Sequence, residues 1–370
     1  MQSADNKSIN RGPHIPMTYN FLLPNLGAGG AERISLLLAR VLVKNGVEVR
    51  FVNLGSPKGE IRGWIQPEFE LVSLGCRRSL TAIPALVKYL RKHRCEGVFA
   101  SRENASIAGL IACGISGHPI IIRLPNMPTN QLLHGIKGIK LKIVKWVTRR
   151  VYKRARYVIT QTEEMRQQTI SYYKLPPEKV VTIYNPLDEE AVKRQAQTSE
   201  DPYTHAGPRF LFVGTIAYRK GVDILLEAFS TVKRDIPDAT LTILGGKDGN
   251  YASNLVEKWE GMEGIEFKGF VENPYPYMAH CDVFVLPSRM EGLPNVLLEA
   301  MSLNKPVAAT TCLPIVSQLV KEGVNGYLCP VENTELLSKA MIKALTLKDI
   351  QNRYELFDSK KLLEVFQKNN

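Results

Sequence analysis

The stretch DVFVLPSRMEGLPNVLLEAM, residues 282–301, joins an apolar run, a polar loop and a second apolar run with helical spacing. Val283–Leu286 are apolar on consecutive positions, which is typical of a strand covered on both faces. Pro294 suits the first turn of a helix, where its missing N–H would be unpaired anyway, so we predict a helix over 294–303. A strand, a loop and a helix in this order form the unit from which parallel α/β sheets are built.

The same alternation runs along the rest of the chain. A first series of strand candidates comprises MTYNFLL, VEVRFVNLG, FELVSLG, EGVFAS, PIIIRLP, YVITQT and KVVTIYNP, with helical segments between them. A second series begins at RFLFVGTI and continues through ATLTILGG, IEFKGF, PVAATT and GYLCPV. This pattern predicts two Rossmann-like, doubly wound α/β domains that face each other across a cleft, with ligands bound at the carboxyl ends of the strands.

The domain boundaries follow from length and polarity. A chain of 370 residues is too long for one ordinary core. We predict a flexible tail over 1–13, a first domain over 14–186 and a second domain over 209–346. Residues 187–208 are polar and lack apolar periodicity, which predicts a linker. The chain ends in two predicted helices, 333–346 and about 348–368, and the segment 347–370 could pack back on the first domain.

Composition and charge restrict the class of protein. The six cysteines form no C-x-x-C pair, which favours free thiols in a reducing compartment. The amino terminus has no apolar signal segment, and no apolar run reaches the roughly 18 residues of a membrane span. We therefore predict a cytoplasmic protein. The net charge of +12 indicates an anionic partner such as a nucleotide, a nucleic acid or an acidic lipid.

Two glycine-containing loops are candidate phosphate sites. Gly27, Gly29 and Gly30 follow the first strand and open a helix, so their N–H groups could approach a phosphate, although a plain tight turn explains them equally well. In FVGTIAYRKG, Arg219 and Lys220 stand just before a helix start, where the macrodipole favours anions rather than cations. An anion site would account for this conflict, as would two solvated charges.

Two glutamates flank the loop of the opening stretch. Glu291 would be repelled by a phosphate bound at the helix start, so it more plausibly accepts hydrogen bonds from neutral hydroxyls. Glu299 lies about one and a half turns into the helix and could reach a second set of hydroxyls. Two hydroxyl-rich groups on either side of a diphosphate describe a nucleotide sugar.

At this point the chain resembles a known family. Glu291 and Glu299 match the E-x7-E signature of glycosyltransferase family 4, which comprises retaining enzymes of GT-B fold. FVGTIAYRKGVDILLEAF, GFVENPYPYMAHCDVFVLPSRMEGLPNVLLEAMSLNKPVAATT and EGVNGYLCP are similar to that family in the same order. GAGGAERI and VTIYNPLD resemble bacterial members that assemble capsule, O-antigen or lipid-linked oligosaccharide. The resemblance implies transfer of a hexose or N-acetylhexosamine from a nucleotide sugar, with UDP as the expected nucleotide, to a polyprenyl-diphosphate-linked surface polysaccharide.

The resemblance also implies roles for individual residues. Glu291 would hold the donor sugar, Glu299 the ribose and Lys220 the phosphates. The remaining donor-side positions would supply backbone to the diphosphate, contact the base or line the phosphate loops: Gly29, Gly30, Gly214, Gly245, Gly246, Phe270, Val271, Gly292, Leu293, Pro294 and Asn295.

Two positions depart from the family pattern. Thr215 stands where many members carry arginine, so Arg219 would supply the second cation. The loop after PIIIRLP lacks the histidine found in many members, which leaves Arg123, Asn126 and His134 as acceptor-side candidates. No D-x-D motif and no metal-ligand spacing occurs. We therefore predict metal-independent catalysis without a cofactor, in which cations and helix N–H groups neutralise the leaving diphosphate.

The stretch HGIKGIKLKIVKWVTRRVYKRAR, residues 134–156, contains no acidic residue. On a helix over 136–156, one side would carry Lys142, Lys145, Arg149 and Lys153, and another would carry Ile136, Ile139, Ile143, Trp146 and Val147. This arrangement predicts peripheral docking on the anionic inner face of the cytoplasmic membrane, against the alternative of a solvated helix packed on its domain.

Two other classes of function stay open. A nucleotide-sugar epimerase of the same fold would transfer nothing to a separate acceptor. A basic binding module would grip nucleic acid or a membrane, but the basic residues do not alternate with aromatics suited to base stacking.

Overall fold

The computed structural model describes residues 17–27, 29–59, 61–128, 146–197, 200–352 and 356–367. The predicted tail over 1–13, the candidate His134 and the first part of the basic stretch, 136–145, lie outside these residues.

Two parallel sheets carry the fold. The seven-stranded sheet has the order β3-β2-β1-β4-β5-β6-β7, and the six-stranded sheet has the order β10-β9-β8-β11-β12-β13. The strands of the first are β1 Met17–Leu23, β2 Val47–Asn53, β3 Glu70–Ser73, β4 Gly97–Ser101, β5 Ile120–Arg123, β6 Tyr157–Thr160 and β7 Val180–Thr182. Those of the second are β8 Arg209–Val213, β9 Thr240–Leu244, β10 Ile265–Gly269, β11 Val283–Leu286, β12 Val307–Thr310 and β13 Gly326–Cys329. The prediction of two parallel α/β domains is confirmed.

Helices connect the strands. In the first part of the chain they span Gly30–Lys44, Arg62–Ile65, Ile83–Lys92, Glu103–Ser116, 146–152, Glu163–Tyr173 and Glu189–Gln197. In the second part they span Val222–Asp235, Gly249–Trp259, Tyr275–His280, Asn295–Ser302, Pro314–Leu319, Thr334–Ala344 and Ser359–Gln367. No helix in these ranges is both long and apolar enough to cross a bilayer.

Helix spacing explains how the core forms. Leu225, Phe229 and Val232 lie three or four residues apart on the helix Val222–Asp235, and all three are buried. They pack in one hydrophobic cluster with strand residues of the second sheet such as Phe210 and Val283. Burying each large apolar side chain contributes about 1.5–3 kcal/mol relative to leaving it exposed.

Each sheet has its first strand in the middle, and this order locates the ligand sites. The strand β1 lies between β2 and β4, and β8 lies between β9 and β11. The chain therefore leaves the central strand in one direction and later returns to its other side. In doubly wound sheets, ligands bind outside the carboxyl ends of the two strands at this switch point. The loops after β1 and β4, and those after β8 and β11, are the positions to inspect.

The described residues fall into two compact units. One contains the residues up to 123, together with 146–158 and 363–367; the other contains 124–128 and the described residues of 159–362. The predicted domain limits at 186 and 209 stay predictions. Within the first unit, the Tyr19 hydroxyl donates to the Phe366 carbonyl at 2.6 Å, and the two rings lie 4.8 Å apart.

Three segments differ from their predicted structure. The polar segment 187–208 contains the helix Glu189–Gln197, which was missed because only Val192 and Ala196 are apolar and buried. The terminal helix covers 359–367 rather than 348–368, and the left-handed φ of 54° at Asp349 is incompatible with a continuous helix there. In the basic stretch the helix ends at 152, and the Arg156 N–H donates to the Ile120 carbonyl next to the strand β6.

Candidate active site

The switch point of the second sheet brings two predicted loops together. The strands β8 and β11 are neighbours, with Val283 opposite Phe210. The turn Tyr218–Lys220 follows β8, and residues 287–294 follow β11. The N–H groups of Arg289 and Met290 donate to the Arg219 carbonyl at 2.9 and 3.2 Å, which ties the two loops to each other.

The side chains of these loops converge on Glu291. Lys220 Nζ donates to Glu291 Oε1 at 2.6 Å, and Ser288 Oγ donates to the same oxygen at 2.7 Å. Arg219 Nη1 lies 3.7 Å from Glu291 Oε2. The Lys220 and Glu291 side chains are only 12% and 5% exposed. Two cations thus face one carboxylate, and burial strengthens their attraction for an anion.

Gly221 makes this convergence possible. Its φ is +66°, and a Cβ at this position would lie 2.0 Å from the Pro287 carbonyl oxygen. Only glycine allows so close an approach in a left-handed conformation. The turn that carries Arg219 and Lys220 therefore lies directly against the loop that follows β11.

Arg289 ties the two loops together through its guanidinium. Its guanidinium makes five hydrogen bonds at 2.5–3.1 Å: two to Asp223, two to Glu332 and one to the Tyr218 carbonyl, with Nη1 and Nη2 each serving two acceptors. Its guanidinium also stacks on the Tyr218 ring at 4.0 Å. Although burial alone would raise the pKa of Asp223, the bonds from Arg289 hold it below its usual value. Arg289 thereby anchors the turn that presents Lys220.

The helix Asn295–Ser302 begins beside an acceptor-side candidate. A Cβ on Gly292 would lie 2.7 Å from the Pro125 carbonyl oxygen and 3.5 Å from the Asn126 Cα. Asn126 and Gly292 are thus immediate neighbours, and the missing side chain of Gly292 allows this contact. Pro294 caps the helix, one position before its predicted place, and Leu293 is buried.

The second glutamate lies within the same helix. Glu299 is 8% exposed, and the Tyr275 hydroxyl lies 3.4 Å from its Oε1. Tyr275 is itself buried, at the start of the helix Tyr275–His280. The carboxylate is therefore held in place and has little surface of its own.

Three glycines shape the side of the site where the base is predicted. A Cβ on Gly245 would lie 1.9 Å from the Gly214 carbonyl oxygen, and the Gly245 N–H donates to the Gly269 carbonyl at 2.7 Å. Phe270 follows directly and is 66% exposed. Val271 is half-buried, and Thr215 is exposed. An aromatic ring thus stands at the surface next to the loops after β8 and β9.

The switch point of the first sheet has a different chemistry. Gly29 caps the helix Gly30–Lys44, and a Cβ there would lie 2.4 Å from Glu32 Oε2. Glu32 is buried and accepts a hydrogen bond from Arg102 Nη1 through Oε1 at 2.9 Å, whereas its Oε2 has no hydrogen-bond partner among the residues that the structure describes. Arg102 follows β4 with a left-handed φ of 79°.

Arg123, the first acceptor-side candidate, lies inside its unit. It is 2% exposed and donates to Ser101 Oγ at 3.3 Å. Burial lowers the pKa of Arg123 to about 9. Its place inside the unit suits a residue that positions others rather than one that contacts a ligand. His134 lies outside the described residues.

Sequence reasoning missed several residues of the second site. They are Ser288, Asp223, Arg289, Tyr275, Glu332, Gln161 and Asn185. Ser288 and Arg289 stand within the opening stretch and could have been found from their closeness to Glu291. The others come from distant segments and carry no local sequence signal.

Comparison with solved structures gives the class of protein. The structure of the Anabaena protein HepE in complex with UDP and glucose is similar over 95% of this chain and 92% of that chain, with a TM-score of 0.73 and 19% identity. WaaG, a glycosyltransferase involved in lipopolysaccharide biosynthesis, is similar over 94% of this chain and 93% of its own, with a TM-score of 0.65 and 18% identity. The fold is that of the GT-B glycosyltransferases.

The sequence assigns the family. Residues 28–191 match the family described as Glycosyltransferase Family 4, and residues 207–347 match Glycosyl transferases group 1. The chain belongs to glycosyltransferase family 4, and it is a glycosyltransferase.

Two relatives illustrate the range of the family. The alpha-D-kanosaminyltransferase of Streptomyces kanamyceticus is 30% identical over 307 residues, 77% of each chain. The N-acetylgalactosamine-N,N'-diacetylbacillosaminyl-diphospho-undecaprenol 4-alpha-N-acetylgalactosaminyltransferase of Campylobacter jejuni is 24% identical over 351 residues, covering 90% of this chain and 91% of the relative. The resemblance stated from the sequence is confirmed.

Proposed function

We propose that this enzyme transfers a hexose or N-acetylhexosamine from a UDP-sugar to a polyprenyl-diphosphate-linked acceptor of a growing surface polysaccharide, with retention of anomeric configuration. The observation that carries the proposal is the buried Lys220–Glu291 pair, with Arg219 beside it, at the switch point of the second sheet. Two neighbouring cations there suit a diphosphate leaving group.

In the proposed mechanism the donor rearranges this pair. Lys220 and Arg219 bind the diphosphate and stabilise the charge that develops on it as the glycosidic bond breaks. Glu291, released from Lys220, accepts hydrogen bonds from hydroxyls of the donor sugar. Glu299 binds the ribose hydroxyls, and Phe270 and Val271 contact the base. The acceptor attacks from the face that the diphosphate leaves, so no enzyme nucleophile is needed.

The substrates are proposed from the relatives. UDP and glucose are bound in the HepE structure, which supports a UDP-sugar donor. The Campylobacter jejuni relative is named for a diphospho-undecaprenol acceptor, which supports a lipid-linked acceptor here. The proposed donor and the proposed acceptor both contain a diphosphate, a group that the cationic site could bind.

A donor panel tests the proposal. UDP- and GDP-sugars are incubated with the enzyme and a polyprenyl-diphosphate-linked saccharide, and the anomeric configuration of the product is read by NMR. We expect transfer from one UDP-sugar with retention. Inversion would exclude the retaining mechanism, and conversion of the donor without an acceptor would favour the epimerase.

We also propose that no metal ion takes part, because the two cations occupy the place where a metal would neutralise the diphosphate. Activity should survive EDTA. Complete loss of activity that Mg²⁺ or Mn²⁺ restores would contradict this part of the proposal.

Membrane attachment is proposed for the basic stretch. In its described part, Trp146 and Val147 are 58% and 45% exposed, and Arg150 lies 4.7 Å over the Trp146 ring. Exposed apolar groups beside cations suit the interface of an anionic bilayer. We propose that the enzyme works on the inner face of the cytoplasmic membrane.

Charge reversal tests the membrane proposal. Changing Lys142, Lys145, Arg149 and Lys153 to glutamate should release the enzyme from anionic liposomes in a sedimentation assay, because each cation near the surface contributes about 1 kcal/mol of attraction. The matched control reverses four exposed lysines elsewhere and should still sediment: Lys258, Lys321, Lys343 and Lys360. If the charge-reversed basic stretch sediments with the liposomes as completely as the control variant does, the stretch is an ordinary helix face.

A further inference from the structure

A row of side-chain amides leads from the backbone to the start of the helix Asn295–Ser302. Gln161 Nε2 donates to the Leu124 carbonyl at 2.9 Å. Asn185 Nδ2 donates both to Gln161 Oε1 at 2.9 Å and to Asn295 Oδ1 at 2.6 Å. Gln161 and Asn185 are 3% and 1% exposed, and all four residues belong to one compact unit.

The first member of this row sets the direction of the rest. A backbone carbonyl only accepts, so Gln161 must turn its NH2 group toward Leu124 and its oxygen toward Asn185. Asn185 must then present its own NH2 group, which requires the oxygen of Asn295 on that side. Reversing any one amide would bring two oxygens or two NH2 groups together in a buried place, which is unfavourable.

The NH2 group of Asn295 is consequently turned away from the row. It donates to no group within the part of the chain that the structure describes, and the residue is half-buried rather than enclosed. The same loop carries Gly292, where a Cβ would lie 3.2 Å from Gln161 Nε2. The row therefore fixes both the position of the loop and the polarity of its one side-chain amide.

We propose that Gln161 and Asn185 are positioning residues that turn the Asn295 side-chain N–H toward the diphosphate of the donor. The inference rests on the proposed donor site, and adds to it a side-chain contact whose direction is determined by residues outside it. An N–H donor suits a phosphate oxygen, whereas an oxygen in the same place would repel it.

Two substitutions at one position distinguish this role from a structural one. Asn295→Asp keeps the oxygen that Asn185 bonds and adds a carboxylate at the start of a helix, which stabilises helices. Asn295→Leu keeps the shape but removes both the oxygen and the NH2 group. A structural role would make the leucine variant the worse of the two. The proposed role makes the aspartate variant worse, because it places a negative oxygen against phosphate.

The measurement is isothermal titration with UDP, GDP and the corresponding nucleosides. We use the diphosphate that the wild-type enzyme binds more tightly. Its affinity should fall at least about tenfold in Asn295→Asp, consistent with loss of a hydrogen bond to a charged group, and less in Asn295→Leu. Affinity for the nucleoside should stay within about twofold of wild type. Asn254→Asp, which adds the same charge at an exposed position of the helix Gly249–Trp259, should change neither affinity.

Asn185→Asp tests the positioning step. A carboxylate at position 185 accepts a hydrogen bond from the Asn295 NH2 group, which should turn the Asn295 oxygen outward. Affinity for the diphosphate should then fall, while affinity for the nucleoside should not change. A parallel fall in both affinities would mean that Asn185 only supports the fold. Unchanged diphosphate affinity in Asn295→Asp would overturn the inference even if Asn185→Asp does not fold. A wild-type enzyme that binds neither diphosphate would instead refute the proposed function.

Discussion

The two sheets share a topology but place different chemistry at their switch points. After β8 and β11, Lys220 and Arg219 converge on the buried Glu291, and Arg289 holds the surrounding turn with all of its donors. After β1 and β4, the Glu32–Arg102 pair stands beside Gly29, and within the described ranges one buried oxygen of Glu32 has no hydrogen-bond partner.

This difference supports the proposed anion site at the second switch point, and it suits the first to ligands that donate hydrogen bonds. At the second switch point Lys220 and Arg219 both face Glu291, and these two neighbouring cations support the proposed diphosphate site. At the first, Glu32 is paired with Arg102 and keeps one oxygen without a partner among the described residues, which suits a neutral donor such as a hydroxyl. In doubly wound folds the topology determines where ligands bind, and the side chains of the loops determine which ligands they are.

The largest effect is expected from breaking the cationic pair. Lys220→Ala and Glu291→Gln should each lower the transfer rate by roughly two to four orders of magnitude, because each removes a contact to the reacting end of the donor. Steady-state kinetics measure the rate, and circular dichroism checks the fold. The matched controls, Lys258→Ala and Glu257→Gln, change exposed residues of another helix and should keep wild-type turnover. Near wild-type turnover in a site variant would contradict the assignment.

A smaller effect is expected from the residue that anchors the turn. Arg289→Met removes every bond to Asp223 and Glu332 and should lower kcat by about 10–100-fold, as misplacement of a catalytic group does. Arg289→Lys keeps the charge but cannot bridge both carboxylates, so its kcat should lie between those of wild type and Arg289→Met. If Arg289 acts only on stability, both variants will have lower melting temperatures than wild type, yet will keep the wild-type kcat below those temperatures.

The smallest effect concerns Glu103, an acid of the first unit. Burial raises the pKa of Glu103 to about 7, and its Oε1 has no hydrogen-bond partner in the described part of the chain. The folded chain keeps this proton up to about pH 7, whereas the unfolded chain releases it above about pH 4.5, so stability falls as pH rises between these values.

Replacing this acid should remove that pH dependence. Glu103→Gln should melt at a higher temperature than wild type at pH 8 and at nearly the same temperature at pH 4.5. Glu257→Gln, an exposed control, should follow wild type at both values. A constant difference between wild type and Glu103→Gln across the whole pH range would contradict the predicted titration.

The sequence predicted what depends on local pattern. Consecutive apolar residues identified buried strands such as Val283–Leu286, and Pro294 located the start of the helix that carries Glu299. The cations at 219 and 220 were recognisable because they conflict with the dipole of the helix that follows them. These features need only a few neighbouring residues to be read.

The rest depends on contacts between distant segments. Arg289 bonds an aspartate 66 residues away, and Asn185 bonds Asn295 across 110 residues. The pairing of Lys220 with Glu291 was likewise not predicted, although both residues were singled out. No local pattern encodes such contacts, since they arise from the order of strands in the sheet. The helix Glu189–Gln197 was missed for a related reason, because its two buried residues pack against segments far along the chain.

The central claim is that the cations after β8 bind the diphosphate of the donor. Titration of the Arg219→Ala/Lys220→Ala double variant with uridine and with UDP tests it most directly. The account predicts that affinity for UDP falls at least about 100-fold, since two charged contacts are lost, while affinity for uridine stays within about twofold. Equal affinity of wild type and the double variant for UDP, or a parallel loss for uridine, would contradict it.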